Sequence, residues 1–447
     1  VLVRYRVTAV GPDGATRFAP AEHDLRPTRS AYVHDKWDAA AVPLGFVLRG
    51  GPDRPVPGKG PAPSPVAPPG GMGRGPLPNF AGFGPRQTTP RPPRGSSAFV
   101  YVDPKAGKAE VFDHIHAVGR GSDRGFRVFF HKDQRLNGMS SVNLAFEGSE
   151  WSLMAEALAY DVYRRAGSPA PLTEFVRVWA DGKLAGHHLL IERPNPSFLR
   201  RNKIDDSGNL YKILWMGRGV VGQHEKRTNE QTGHDDVVGV VDQLTKTRGD
   251  ADAQWKVIRE LFDVDQVATY FAVNTALSHW DGFFNNYFAY RDPKRGKWMM
   301  FPWDQDKTWG YYDGLADDQV FFTMPLTFGM AGDRPPAAAG GGFRGNWWRP
   351  GGHFSGPLLA NPHFRKVFLA RTRELLDKVY TKETYFPLID ETARRLGDEA
   401  ALRAKLRGEP EAAGAKLLAR DADLLKTHLV KRREFLLGQK ELTAGGR

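Results

Sequence analysis

The chain has 447 residues, more than the ~250–300 at which a single hydrophobic core stops growing, so two lobes and an accessory segment are expected. Hydrophobic residues make up 40% and charged residues 26%, a globular balance, and the absence of cysteine excludes a disulfide framework or a thiolate metal site. A formal charge of +12 favours anionic partners such as a nucleotide, an acidic protein or an envelope polymer, while no apolar run reaches the ~18 residues that a membrane span needs.

Basic residues are spread along the chain, without a Lys/Arg block or an aromatic-interleaved RNA-binding signature, so specific nucleic-acid recognition is not expected. A start at Val1 fits a fragment, with any export signal lying ahead of it. Residues 1–49 open on the alternating run Val1–Ala9 and the turn Gly11-Pro-Asp-Gly, and read as a β-rich N-terminal segment. Residues 50–96 are dominated by Pro and Gly and predict an extended or disordered linker.

From Ala98 short strand patterns alternate with turns: Ala98–Val102, Ala109–Phe112, Phe126–Phe130 and Ser141–Leu144, with antiparallel pairing. The stretch Gly119-Arg120-Gly121-Ser122-Asp123-Arg124-Gly125 suits either a phosphate-facing loop or an ordinary hairpin turn. Leu153, Met154, Ala157, Leu158 and Val162 recur at helical spacing over 150–166, with Glu156 beside the apolar stripe. Two more strands, Glu174–Trp179 and His187–Glu192, flank a turn at Asp181-Gly182, and Arg193-Pro-Asn-Pro then breaks regular structure.

Residues 217–248 form a polar stretch whose His224, His234, Asp235 and Asp236 lack the spacing of a zinc site, and they read as a structured surface insertion. Helical periodicity then runs through 254–277. In the dense stretch that follows, Asp281 and Asn286 lie five apart, and Asp304 and Asp306 succeed the strand-like Lys297–Pro302. Carboxylate and amide oxygens are the ligands hard divalent cations take, and a carboxylate that binds no metal can accept a proton from an incoming hydroxyl. The Gly-, Pro- and aromatic-rich 311–356 suits an activation or substrate segment, and helices follow from Asn361 to a terminal one ending near Leu437 with a solvated charged face.

The order His279-Trp280-Asp281, Asn286, Asp304 resembles protein-kinase spacing. With GRGSDRGFRVFF (119–130), WSLMAEALAYDVYRRAGSPAP (151–171), GHHLLIERPNPSFLRRN (186–202), NLYK (209–212), HWDGFFNNYF (279–288) and PWDQDKTWG (302–310), the chain resembles the CotH family of atypical, secreted or surface-associated kinases over roughly 97–440. The resemblance implies an α+β, two-lobed kinase-like fold, with an antiparallel-sheet small lobe over 97–193 and a mainly helical large lobe over 194–447. It further implies ATP with Mg2+ or Mn2+, and a Ser/Thr acceptor on an envelope or extracellular protein. Asp281 would be the base, Asn286 and Asp304 metal ligands, and Asp306 a second-metal ligand or loop anchor. Gly119, Arg120, Gly121 and Ser122 would face phosphates, and Glu192 and Trp298 the nucleotide base. Arg127 stands where the family carries the Lys that pairs with the helix Glu, here Glu156, and its reach and geometry differ from those of Lys. A kinase-like surface binding or adhesion module that has lost catalysis, and a metal-dependent phosphohydrolase, are the alternative expectations.

Overall fold

A computed structural model describes residues 1–444 except 22–23, 25, 34–39, 50–96, 121–124, 147–150, 216, 314, 317 and 334–347. The expected linker at 50–96 therefore lies outside the described residues, as do Gly121 and Ser122. At the N-terminus β1 (Leu2–Tyr5) pairs with β4 (Arg29–Tyr32), and β2 (Val7–Val10) with β3 (Thr16–Ala19), both antiparallel. Arg4 anchors this piece by a two-pronged ion pair, 2.8 and 2.6 Å, to the buried Asp113.

Seven strands follow: β5 (Leu44–Leu48), β6 (Ser97–Asp103), β7 (Lys108–Arg120), β8 (Gly125–Phe129), β9 (Ser141–Phe146), β10 (Thr173–Ala180) and β11 (Lys183–Glu192). They close into a barrel of order β10-β11-β9-β8-β7-β6-β5. Alternate residues point inward, and Phe126 and Val128, Val142 and Leu144, and Val176 and Val178 pack there with Phe99 and Leu190. The expected small-lobe sheet is thus a closed barrel, and its closing strand comes from the stretch predicted as an N-terminal segment. Leu44–Leu48 joins β6 antiparallel and Arg177–Ala180 of β10 in parallel. Closure satisfies both sheet edges, which would otherwise present unpaired N–H and C=O groups.

Helix α1 (Ala155–Arg165) follows β9, and α2 (Pro196–Arg201) follows β11. Beyond them β12 (Asn209–Ile213), β13 (His224–Lys226), β14 (Tyr287–Asp292) and β15 (Lys297–Pro302) form a second sheet of order β13-β12-β14-β15. The stretch expected as a surface insertion is ordered: α3 (Gly219–Gln223), β13 and α4 (Asp235–Lys246), the last burying Val237, Val240, Val241 and Leu244. The periodicity over 254–277 is realised as two helices, α5 (Ala251–Leu261) and α6 (Val264–Ala276). They break at Asp263, whose side chain caps α6 by accepting from the Gln266 N–H. Helices α7 (Ser355–Ala360), α8 (Pro362–Lys378), α9 (Lys382–Arg395), α10 (Gly397–Leu406) and α11 (Glu411–Leu437) complete the α+β fold.

One apolar core runs from the barrel's outer face (Phe175, Leu189, Ile191) through α1 and α6 to Leu429 and Leu436 of α11. The C-terminal helices brace the barrel: Arg177 of β10 pairs at 2.6 Å with Glu399 of α10, which is 1% exposed. This shared core is why the chain shows a barrel fused to a helical body rather than two cleanly separate lobes.

Candidate functional site

Helix α6 is buried along almost its whole length and delivers the chain to Ser278, whose left-handed backbone (φ 52°) turns it sharply. The buried His279 is oriented by its neighbours: its N–H donates to the Asn274 carbonyl at 2.8 Å, and its Nδ1 lies 2.9 Å from Asn274 Oδ1. Burial, and secondarily Lys307, push its pKa down to about 3, so the ring is neutral. Tyr163 donates to the same Asn274 oxygen at 2.7 Å, and Tyr270 to the Gly282 carbonyl at 2.7 Å. His279 therefore holds the loop, as expected. A Cβ on Gly282 would sit 2.5 Å from Asn274 Oδ1 and 2.6 Å from His279 Nδ1, both pinned. Gly282→Ala is accordingly expected to cost about 1–3 kcal/mol and to displace Asp281, measurable as a lower denaturation midpoint with weakened activity.

Asp281 begins the site proper, on the 3-10 turn Trp280–Phe283. Its Oδ2 accepts from Asn286 Nδ2 at 2.7 Å, while its buried Oδ1 has no hydrogen-bond partner. Burial raises its pKa to about 6; Lys307 opposes this and Asp304 adds to it. Asn286 is held by Asn285 Nδ2, 2.9 Å from its Oδ1, and by the Trp303 N–H, 3.1 Å from its backbone oxygen.

The second loop is brought alongside by the β14–β15 hairpin, in which Tyr287 faces Pro302. Asn286 and Asp304 thus leave adjacent strand ends, each with a left-handed backbone (φ 51° and 56°). Non-glycine residues in this region are uncommon, and they concentrate where structure serves a site. Asp304 and Asp306 face solvent. The carboxyl of Asp306 is held above its ordinary range, first by the protein packed round it and then by Asp304; water reaching its open edge screens part of that effect.

Helix α1 supports the acidic loop. The Asp304 N–H donates to Tyr160 Oη at 3.0 Å, and the Gln305 N–H donates to Glu156 Oε1 at 3.2 Å. Tyr160 and Gln305, neither singled out in the sequence, are fully buried. So are His428 and Arg432, on the terminal helix whose charged residues were expected on a solvated face. His428 bridges Ser278 Oγ (3.0 Å) and Tyr380 Oη (2.9 Å). The signal was available, because residues 425, 429, 432 and 436 share one helical face with 428.

The phosphate- and base-side candidates are placed differently. Gly119 and Arg120 are strand residues at the end of β7, opposite Phe126 and Gly125 of β8, and the stretch 121–124 that joins the two strands lies outside the described residues. Glu192 is 1% exposed and committed to the protein's own packing: it accepts from Arg201 Nε at 3.1 Å and from the Leu172 N–H at 3.1 Å, since a buried carboxylate needs partners. Trp298 is a core residue, 1% exposed, between Tyr211 and Phe354. Arg127 alternates with the inward Phe126 and Val128 and lies on the barrel's outer face opposite Asn143.

The donor set fits a hard divalent cation. Asn286 Oδ1 has one donor, and Asp304 and Asp306 are reachable from solvent. Among the described residues no group of three or more His, Cys, Asp or Glu side chains is placed to hold a metal ion.

Among curated proteins, the chain is 27% identical over 211 residues to Inner spore coat protein H of Bacillus subtilis (strain 168), covering 44% of this chain and 58% of that protein's length. Among solved structures it is similar to a chain of the Shewanella oneidensis MR-1 toxin–antitoxin HipA, HipB and operator DNA complex. That match has 10% identity over 66% of this chain and 59% of the other, with a TM-score of 0.26, too slight for an argument. The model of the CotH kinase protein family matches residues 124–436, from β8 of the barrel through the Asp281 loop and the acidic loop to α11, and the chain belongs to that family.

Proposed function

We propose that the chain is an ATP- and Mg2+- or Mn2+-dependent protein kinase that phosphorylates Ser or Thr of a coat, envelope or extracellular protein. The observation that carries this reading is Asp281: a buried carboxylate with one oxygen held by Asn286 and the other without a hydrogen-bond partner, in a chain whose neighbouring acidic loop is solvent-reachable. Family membership supports the reaction class, and the spore coat relative supports the coat or envelope setting.

In this reading Asn286 and Asp304 hold the cation that offsets phosphate charge, and Asp306 steadies the loop or holds a second ion. Glu156 fixes the backbone of that loop through Gln305, and Arg127 is the cation offered to the phosphate side from β8. The test is intact-mass measurement after incubation with ATP and Mg2+ or Mn2+, with nucleotide affinity measured in parallel. Wild type is expected to gain phosphate, and Asp304→Ala to lose metal-dependent ATP binding by roughly 10²-fold or more. Equal ATP affinity in the two proteins would refute the metal assignment. Phosphate release without labelled protein would indicate hydrolysis instead, and ligand retention without any transfer a binding module.

A further inference from the structure

Asp281 is followed by Gly282, Phe283 and Phe284, so no basic residue of its own loop stands beside it. The acidic loop supplies one. The ammonium of Lys307 lies 4.9 Å above the Trp280 ring and 3.2 Å from Asp313 Oδ2. Trp280, adjacent to Asp281, is fully buried, with its indole N–H donated to the Tyr311 carbonyl at 2.9 Å. The backbone carrying Lys307 is fixed as well: Thr308 Oγ1 donates to the Gln305 carbonyl at 2.6 Å, and the Trp309 N–H to the Leu277 carbonyl at 2.9 Å. Only the flexible stem of Lys307 is left to move.

We propose that Lys307 is a catalytic residue of the phosphoryl transfer proposed above, the cation that meets the transferring phosphoryl group beside Asp281; the proposal rests on that reading. Its present partner can release it, because the Asp313 side chain is 42% exposed and a lone exposed ion pair holds weakly, whereas a triphosphate offers several negative oxygens. The charge of Lys307 already bears on both Asp281 and Asp306. In the transfer, the acceptor hydroxyl oxygen bonds to the γ-phosphorus and its proton passes to Asp281 Oδ1. The bond from the γ-phosphorus to the bridging oxygen breaks, and its electron pair leaves on ADP. Lys307 neutralises the equatorial oxygens and neither gains nor loses a proton.

The test compares wild type, Lys307→Met, Lys307→Gln and Lys307→Arg, using kcat, KM for ATP and the affinity for Mg·ADP with and without aluminium fluoride, a mimic of the transferring group. Lys307 is a partly exposed side chain, and unchanged circular dichroism checks each fold. The expected result is a kcat lower by ~10²–10³-fold in the Met and Gln variants, with KM within about threefold. Aluminium fluoride should tighten ADP binding in wild type but not in these variants, and Lys307→Arg should recover part of kcat. A lysine that merely offsets the acidic cluster would leave kcat and the fluoride effect intact while tightening Mn2+ binding, and that result overturns the proposal. An active wild type with an equally active Lys307→Met overturns the lysine alone; an inactive wild type overturns the kinase reading with it.

Discussion

Asp281→Asn is expected to keep ATP affinity within a few-fold of wild type and to lower phosphate incorporation by ~10³-fold or more, since general-base catalysis supplies about 10²–10⁴. The substitution keeps the volume of the side chain and one oxygen, so the turn Trp280–Phe283 and its anchor to Tyr270 should survive. What disappears is the carboxylate whose Oδ1 is buried without a partner. An amide there can donate but cannot take a hydroxyl proton at neutral pH. Asp304→Ala should separate from it cleanly: that variant loses nucleotide binding, whereas Asp281→Asn binds and fails to turn over. Intact mass and a calorimetric ATP titration on the same samples decide between the roles. An Asp281→Asn protein that incorporates phosphate at the wild-type rate would remove the base assignment.

The elements that positioned these residues were legible where the pattern was local. Apolar spacing located α6, large apolar residues located β15, and the five-residue interval singled out Asp281 and Asn286. The structure joins them at 2.7 Å. Barrel closure was not legible, because Leu44–Leu48 pairs with Arg177–Ala180, more than a hundred residues away, and no local signal announces a parallel partner across that distance. Glu192 and Trp298 show a second limit. A charged residue at a strand end and an aromatic before an acidic loop look available for a ligand, yet Arg201 and the Leu172 N–H claim the first, and Tyr211 with Phe354 encloses the second. Which face each side chain presents depended on packing that only the fold supplies.

Arg432→Met is expected to destabilise the protein by about 2–4 kcal/mol, the cost of buried carbonyls that lose their donor, less the relief of a buried charge. The guanidinium is fully buried, and its hydrogen bonds all run to backbone oxygens. Nε and Nη2 donate to the Thr275 carbonyl at 2.9 and 2.7 Å, and Nη1 donates to the Phe322 and Met324 carbonyls at 2.7 and 2.6 Å. Burial lowers its pKa to about 9, so it remains cationic at neutral pH. Thr275 lies in the last turn of α6, where carbonyls lack helical partners and the helix dipole favours a cation. Methionine fills similar space but takes the donor from the Phe322 and Met324 carbonyls, each costing ~1–3 kcal/mol, while Thr275 keeps the Ser278 N–H at 3.2 Å; relief of the buried charge offsets part of the loss. Lysine is no substitute: it keeps the charge, but its point-like ammonium cannot reproduce a planar fork aimed at three oxygens. Urea denaturation of wild type, Arg432→Met and Arg432→Lys should show midpoints falling in both variants. The α6 end that delivers Ser278 and Asp281 should also slacken, seen as faster amide exchange over 275–285. A midpoint unchanged in Arg432→Met would mean that the end of α6 is held by packing alone.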